Sequence, residues 1–249
     1  MPSSKGARAA APNPTAEAPP PPSLAPVPMK SDTLSLAVQV AQPVTIAGVF
    51  YGAFPLIVAS PITGLQNMLA FVTVLQVVYV LACVPVVATK SKLGRKKIAE
   101  RGNRPALFSC ILSLLLSLLI TPFVHLILVL FGGPFLTHVP HTLLCAAHFS
   151  VLCCFPLFYA HGVEAPTWLA IGSLGQPLDA TYGAFCGGLV GAWLGAVPIP
   201  LDWDREWQKW PLTIVCGMYL GVAVGRLVAG CTPLYGKRVV QLDMPVKEE

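Results

Sequence analysis

Apolar residues gather into six long stretches, at roughly 34–59, 65–88, 107–131, 141–160, 181–199 and 211–232, with polar and charged residues confined largely to the gaps. A bilayer core about 30 Å thick requires about 20 such residues of a helix that rises about 1.5 Å per residue. The pattern predicts an all-α integral membrane protein with about six transmembrane helices. Only Ser60 to Gly64 separates the first two stretches, which predicts a tight helical hairpin. The first stretch carries Pro43 and Pro55, and the fourth carries Pro156. A proline inside a span kinks it and frees a carbonyl that a neighbouring helix must satisfy.

Composition narrows the class further. Hydrophobic residues make up 55% of the 249 and charged residues 11%, against about 25% charged in an ordinary soluble domain. The chain cannot clothe a soluble fold of its size in charge. Residues 1–31 differ from the rest, with nine prolines between Pro2 and Pro28 and the run Pro19 to Pro22. Such a segment has too little apolar side chain to build a core and is expected to be a disordered tail. The organisation expected is therefore a proline-rich tail over 1–31, a membrane domain over 32–236 and a short C-terminal tail over 237–249.

Charge sets the orientation. The gap between the second and third stretches reads KSKLGRKKIAERGNR and holds Lys90, Lys92, Arg95, Lys96, Lys97, Arg101 and Arg104. With six spans, Lys5, Arg8, Lys30, Lys237, Arg238 and Lys247 fall on that same side. Of the 16 basic residues, only Arg205, Lys209 and Arg226 are then elsewhere. Basic residues concentrate on the cytosolic side of short loops, so both termini are expected in the cytosol. The net charge of +5 serves topology and contact with anionic lipid and is no footprint for nucleic acid.

Candidate chemistry is sparse. The eight cysteines show no C-x-x-C spacing and fall in or beside apolar runs, where a thiol behaves as a small apolar group. His141 and His148 lie seven apart, with His138 just outside, but no carboxylate joins them. A catalytic zinc needs three protein ligands and an open position, so no metal and no cofactor is expected. Gln76 and His148 are the clearest polar residues within the stretches. Arg226 lies inside the sixth, near its cytosolic end, from which its side chain is expected to snorkel to headgroups; Asp179 and Glu164 are candidate partners if their loop folds back.

Two features are less ordinary. Glycine recurs every four residues at Gly183, Gly187, Gly191 and Gly195, and again at Gly217, Gly221 and Gly225, followed by Ala229. That spacing lines one helix face with small residues and lets another backbone approach closely. The two ladders pack on each other or receive a helix from another protein, and both can hold because a helix has more than one face. Between them lies PIPLDWDREWQKWP, with Asp202, Asp204, Arg205, Glu206 and Lys209. Trp203, Trp207 and Trp210 are spaced so that a short helix would place all three on one face, suited to the headgroup level. An interfacial anchor, a docking surface, and a cradle in which Arg205 and Lys209 face a lipid phosphate remain open.

The string GAWLGAVPIPLDWDREWQKWPLT, from Gly191 through Trp193, Gly195, Pro200, Leu201, Asp202, Trp203, Arg205, Trp207, Gln208 and Trp210 to Pro211, resembles the hallmark of the PIG-F family of glycosylphosphatidylinositol (GPI) anchor biosynthesis. The resemblance covers about residues 34–240. It implies a multi-pass protein of the endoplasmic reticulum membrane that stabilises and accompanies large PIG-O-like and PIG-G-like phosphoethanolamine transferases, with the tryptophan loop in the lumen. The interface implied, with the partner or with membrane lipid such as the GPI precursor, comprises Gly187, Gly191, Gly195, Asp202, Trp203, Asp204, Arg205, Trp207, Gln208, Trp210, Gly217, Gly221 and Gly225. Non-cytosolic loops of about 5, 10 and 12 residues leave no room for a catalytic domain, which points to a non-catalytic subunit. A lumenal-face lipid-phosphate transferase using Asp202, Asp204 and Arg205 is the alternative. A lipid transporter or scramblase is disfavoured by the few polar residues inside the spans.

Overall fold

The structure is a computed structural model that describes residues 25–85, 106–231 and 233–238. Residues 1–24 of the expected tail, the basic loop Lys90–Arg104, Cys231's side chain and Lys247 lie outside the described residues. Among the described residues there is no strand. The helices are α1 (Thr33–Ala59), α2 (Pro61–Cys83), α3 (Ala106–Leu130), α4 (Val139–Phe149), α5 (Phe155–His161), α6 (Ala165–Gly172), α7 (Ala180–Ala196) and α8 (Leu212–Cys231). Among the described residues five units are long and apolar enough to cross a membrane: α1, α2, α3, the continuous run Val139–His161, and Leu212–Gly230. α7, with 17 residues, is shorter.

Local chemistry explains the boundaries. Asp32 caps α1, its carboxylate accepting from the Ser35 N–H at 3.2 Å, and Asp179 caps α7 by accepting from Thr181 N and Tyr182 N. Ser60 alone separates α1 from α2, which opens with Pro61 at a position where no helical donor is needed. The hairpin is thus tighter than the sequence suggests. Gly64 makes that possible: a Cβ there would lie 2.7 Å from Ile57 Cα.

The run from α4 to α5 is the centre of the bundle, with 78% of its apolar window buried against 22% for α3. It is interrupted by a π-helical segment, Ser150–Cys154, directly before Pro156. Proline cannot donate to the carbonyl four residues back, and that carbonyl, Leu152 O, instead accepts from Gln76 Nε2 of α2 at 3.0 Å. α1 carries Pro43 and Pro55 within its length, and α3 carries Pro122. The loop before α7 also holds a short helix, α6, absent from the sequence reading. Trp168 of α6 donates its indole N–H to Gly162 O at 2.9 Å.

Both ends of the described chain meet at one end of the bundle. Val27 N donates to Asp179 Oδ2 at 3.2 Å, and Lys30 N donates to Cys83 O at 2.9 Å. Leu178 N donates to Lys237 O, and Gly236 N to Leu178 O, both at 2.8 Å. Residues 25–31 therefore lie across the ends of α2 and α7 rather than apart from them.

Candidate functional site

The two glycine ladders face each other. A Cβ built on Gly183, Gly187, Gly191, Gly195, Gly217, Gly221 or Gly225 would meet a backbone carbonyl oxygen of the opposite helix at under 3 Å. Real Cβ atoms essentially never come so close, so only glycine lets α7 and α8 run in backbone contact along their shared length. The contact replaces lipid with closely apposed protein atoms, and dispersion is its main return. Gly188, outside the ladder, makes room for Cys153 Sγ of the π segment. The outward side of the seam is an open groove of about 550 Å³. It is floored by Gly187, Gly191, Gly217 and Gly221 and rimmed by Val190, Leu194, Leu220, Val224 and Val228.

Behind this seam, the interior polar groups are tied to one another. Arg226 of α8 is buried and does not snorkel. Its Nη1 donates to Gln42 Oε1, its Nη2 lies 3.5 Å from Gln76 Oε1, and its guanidinium carbon sits 4.0 Å from the centroid of the Tyr79 ring. Gln42 Nε2 also donates to Gln76 Oε1 at 3.0 Å. The expected acidic partners lie elsewhere. Glu164 precedes α6, and Asp179 pairs with His161, Nε2 to Oδ2 at 3.1 Å. Neutral amides and an aromatic face solvate the cation from inside the bundle, so its chain has no reason to reach for the surface. Sequence reasoning had singled out Gln76 but not Gln42, another amide within an apolar run.

His148 is likewise bound inside, with Nε2 3.1 Å from Leu65 O and Nδ1 2.8 Å from the Tyr219 hydroxyl. His138 and His141 stack edge-on at 5.2 Å between centroids, so the spacing of seven does not bring His148 to them. Among the described residues no group of three His, Cys, Asp or Glu is placed to hold a metal. Cys83, Cys110, Cys145, Cys153 and Cys154 are buried free thiols.

Among the described residues Asp179 is the most heavily bonded acid. It accepts from Thr181 Oγ1 at 2.6 Å, Thr181 N at 2.9 Å, Tyr182 N at 3.0 Å and Val27 N at 3.2 Å. Burial pushes its carboxyl up, but the hydrogen bond and charge of His161, with Thr181 and the Tyr182 N–H, hold it below its ordinary value.

At the opposite end, the tryptophan loop does not form the expected helix; only Glu206–Gln208 makes a single 3₁₀ turn. Gln208 organises the loop instead. Its buried amide donates to Pro198 O at 2.5 Å and to Leu201 O, with Ile199 O at 3.4 Å. Asp204 takes a left-handed φ of 45°. The three indoles consequently part company. Trp203 is exposed and lies tilted against Trp207, 5.9 Å between centroids. Trp210 turns inward, donating Nε1–H to Thr142 Oγ1 at 2.9 Å, with its ring against Gly133. Lys209 is held by Glu206 at 2.5 Å, which removes it from the pair of cations expected to face a phosphate. Among the described residues, the exposed side chains of Asp202, Asp204 and Arg205 have no hydrogen-bond or ion-pair partner.

Comparison with known proteins gives this arrangement a context. The chain is similar to glycosylphosphatidylinositol anchor biosynthesis protein 11 of Neurospora crassa, 44% identical over 222 residues, covering 86% of this chain and 81% of that one. The protein of the same name in Pyricularia oryzae is 41% identical over 204 residues, covering 80% and 77%. A mouse protein named GPI ethanolamine phosphate transferase, stabilizing subunit, is 30% identical over 164 residues, covering 64% and 71%. No solved structure matches the chain. Residues 41–230 match the family described as GPI biosynthesis protein family Pig-F, and with the glycine seam and the tryptophan loop both inside that span, the chain belongs to the Pig-F family.

Proposed function

We propose that this protein is a non-catalytic membrane subunit that stabilises and accompanies a GPI ethanolamine phosphate transferase in the endoplasmic reticulum membrane. α7, about 25 Å long, completes six spans by lying against α8, and the end that carries residues 25–31 and 233–238 is cytosolic. The glycine seam then runs through the bilayer, and the tryptophan loop stands in the lumen. Family membership and the name of the mouse relative support the pathway. PIG-O-like and PIG-G-like transferases are the partners this reading assigns, with membrane lipid at the lumenal loop.

The observation that carries the reading is the division of labour at α7 and α8. Their glycines pack on each other, while the outward groove stays apolar and is lined by glycines of both helices. A transmembrane helix of the transferase seated there gains close packing without any polar group having to be matched. The interior polar groups, Arg226, Gln42, Gln76, His148 and Tyr219, are bonded among themselves, as befits scaffolding.

The test separates the groove from the seam. Leu220→Trp with Val224→Trp fills the groove from outside while leaving every seam glycine in place. Tagged protein purified in mild detergent should carry a transferase at near equal ratio, and the double variant should lose it while keeping its own thermal stability. A transferase retained by the double variant would remove the groove from the interface, and an active, partner-free wild-type protein would overturn the accessory role.

A further inference from the structure

The α3–α4 loop (131–138) and the α7–α8 loop (197–211) are built as one unit. Trp210 joins the longer loop to the shorter through its ring against Gly133, where a Cβ would lie 3.0 Å from the indole, and to α4 through its bond to Thr142. The Gln208 amide closes the longer loop on itself. From this joined base, Phe131 (85% exposed), Phe135 (68%), Leu136 (84%) and Trp203 (53%) project outward. They are not alone: Phe123, Ile127 and Leu130 of α3 and Trp193 of α7 are also exposed, as are Val197 and Leu201 at the start of the longer loop. On helices that span a membrane such exposed residues face acyl chains, so those past the helix ends enter the headgroup layer. Tryptophan is suited to that depth, and phenylalanine and leucine bury at the headgroup–acyl boundary just beneath it.

The charges beside Trp203 specify what is met there. Glu206 and Lys209 neutralise each other. That leaves Asp202, Asp204 and Arg205 unpaired, a local balance of one negative charge carrying a single free guanidinium. An anionic headgroup would be attracted by Arg205 and repelled more strongly by the two carboxylates. A zwitterionic headgroup satisfies all three: its phosphate takes the guanidinium fork, and its ammonium lies between carboxylates and the exposed face of Trp203.

We propose that these two loops form a binding platform for zwitterionic phospholipid headgroups, with Phe131, Phe135, Leu136 and Trp203 seated in the leaflet, Arg205 on the phosphate, and Asp202 and Asp204 on the ammonium. It goes beyond the accessory role and rests only on the spans crossing a bilayer, since it needs neither the transferase nor a particular compartment.

The experiment uses the purified full chain in nanodiscs of equimolar phosphatidylcholine, phosphatidylethanolamine and phosphatidylglycerol, without transferase. Lipid retained after mild detergent extraction is measured by native mass spectrometry. The two zwitterionic lipids should be retained over phosphatidylglycerol, and Arg205→Gln should reduce their retention about 10-fold, the loss of one charge-assisted contact. Asp202→Asn with Asp204→Asn turns the local balance positive and should reverse the preference toward phosphatidylglycerol. All three side chains are exposed and unbonded, so the fold should be unaffected. Trp203 emission, taken as the difference between wild type and Trp203→Phe, should be quenched by lipid brominated near the headgroup. Equal retention of phosphatidylglycerol by the wild type, a preference unmoved by the double variant, or an unquenched Trp203 would each overturn the proposal. Transferase co-purification stands or falls independently.

Discussion

Gln76→Met removes one residue that three others use. Its Nε2 donates to Leu152 O, and its Oε1 receives Gln42 Nε2 and faces Arg226 Nη2. Pro156 lacks the N–H that an α-helix would offer Leu152 O, so the substitution takes away the side-chain donor that stands in for it. An unsatisfied buried group costs about 1–3 kcal/mol, whereas interhelical hydrogen bonds within membranes average about 0.6 kcal/mol, because the unfolded chain also finds partners. Met fills the volume, which limits any cavity term. The guanidinium keeps Gln42 and the Tyr79 ring but loses its second acceptor. The expected destabilisation is about 2–4 kcal/mol, above the membrane average because a buried cation is involved. Titration with sodium dodecyl sulfate, followed by tryptophan fluorescence, reads it. Pro156→Ala supplies an N–H that can take over Leu152 O, so in that background the cost of Gln76→Met should fall by about 1 kcal/mol. A cost below about 0.5 kcal/mol, or a cycle with no coupling, would refute the view that proline and glutamine are matched.

Gly191→Ala drives a methyl into Gly217 O and should lower stability by about 1–3 kcal/mol through overpacking. Gly48→Ala, with nothing within 4 Å of the added Cβ, should stay within about 0.5 kcal/mol of wild type; thermal melting in detergent compares them. Asp179 has a folded-state pKa below its unfolded value near 3.8, so its contribution is complete above about pH 4 and is lost as pH falls through the lower, folded value. Asp179→Asn should therefore lower stability at neutral pH and flatten the decline below pH 4, measured as melting temperature against pH; an unchanged acid slope would show that Asp179 does not drive it.

Composition and period made the helices legible, because a charge-free run has few alternatives at this length. The four-residue glycine spacing likewise marks a face on one helix, but which backbone meets that face is a tertiary fact. Pro156 announced a freed carbonyl; its donor, Gln76, comes from another helix, beyond the reach of any local pattern. Arg226 was misread for a related reason. Snorkelling presumes a lipid-facing side chain, whereas the face of α8 that carries Arg226 meets α1 and α2, where Gln42, Gln76 and Tyr79 wait. The tryptophan spacing suggested a helix, yet Pro198, Pro200 and the Gln208 clamp commit that loop to an irregular path. Trp210 thus reads as one of three equivalent indoles in the sequence and as a staple in the structure.

The same reasoning decides how the family hallmark should be dissected. The hallmark string runs without a break from Gly191 to Thr213, which invites treating it as one interface. The structure divides it by physical role. Gly191 and Gly195 are consumed in backbone contact with α8, so their substitution damages the bundle before it can report on any partner. Gln208 and Trp210 shape the loop from inside and would mislead in the same way. The side chains of Trp203, Asp202, Asp204 and Arg205 are exposed and make no hydrogen bond or ion pair, so they can be changed with the fold held constant. A loss of partner on mutating Gly191 and a loss on mutating Arg205 therefore carry different meanings, and only the second would place a ligand or partner at the loop.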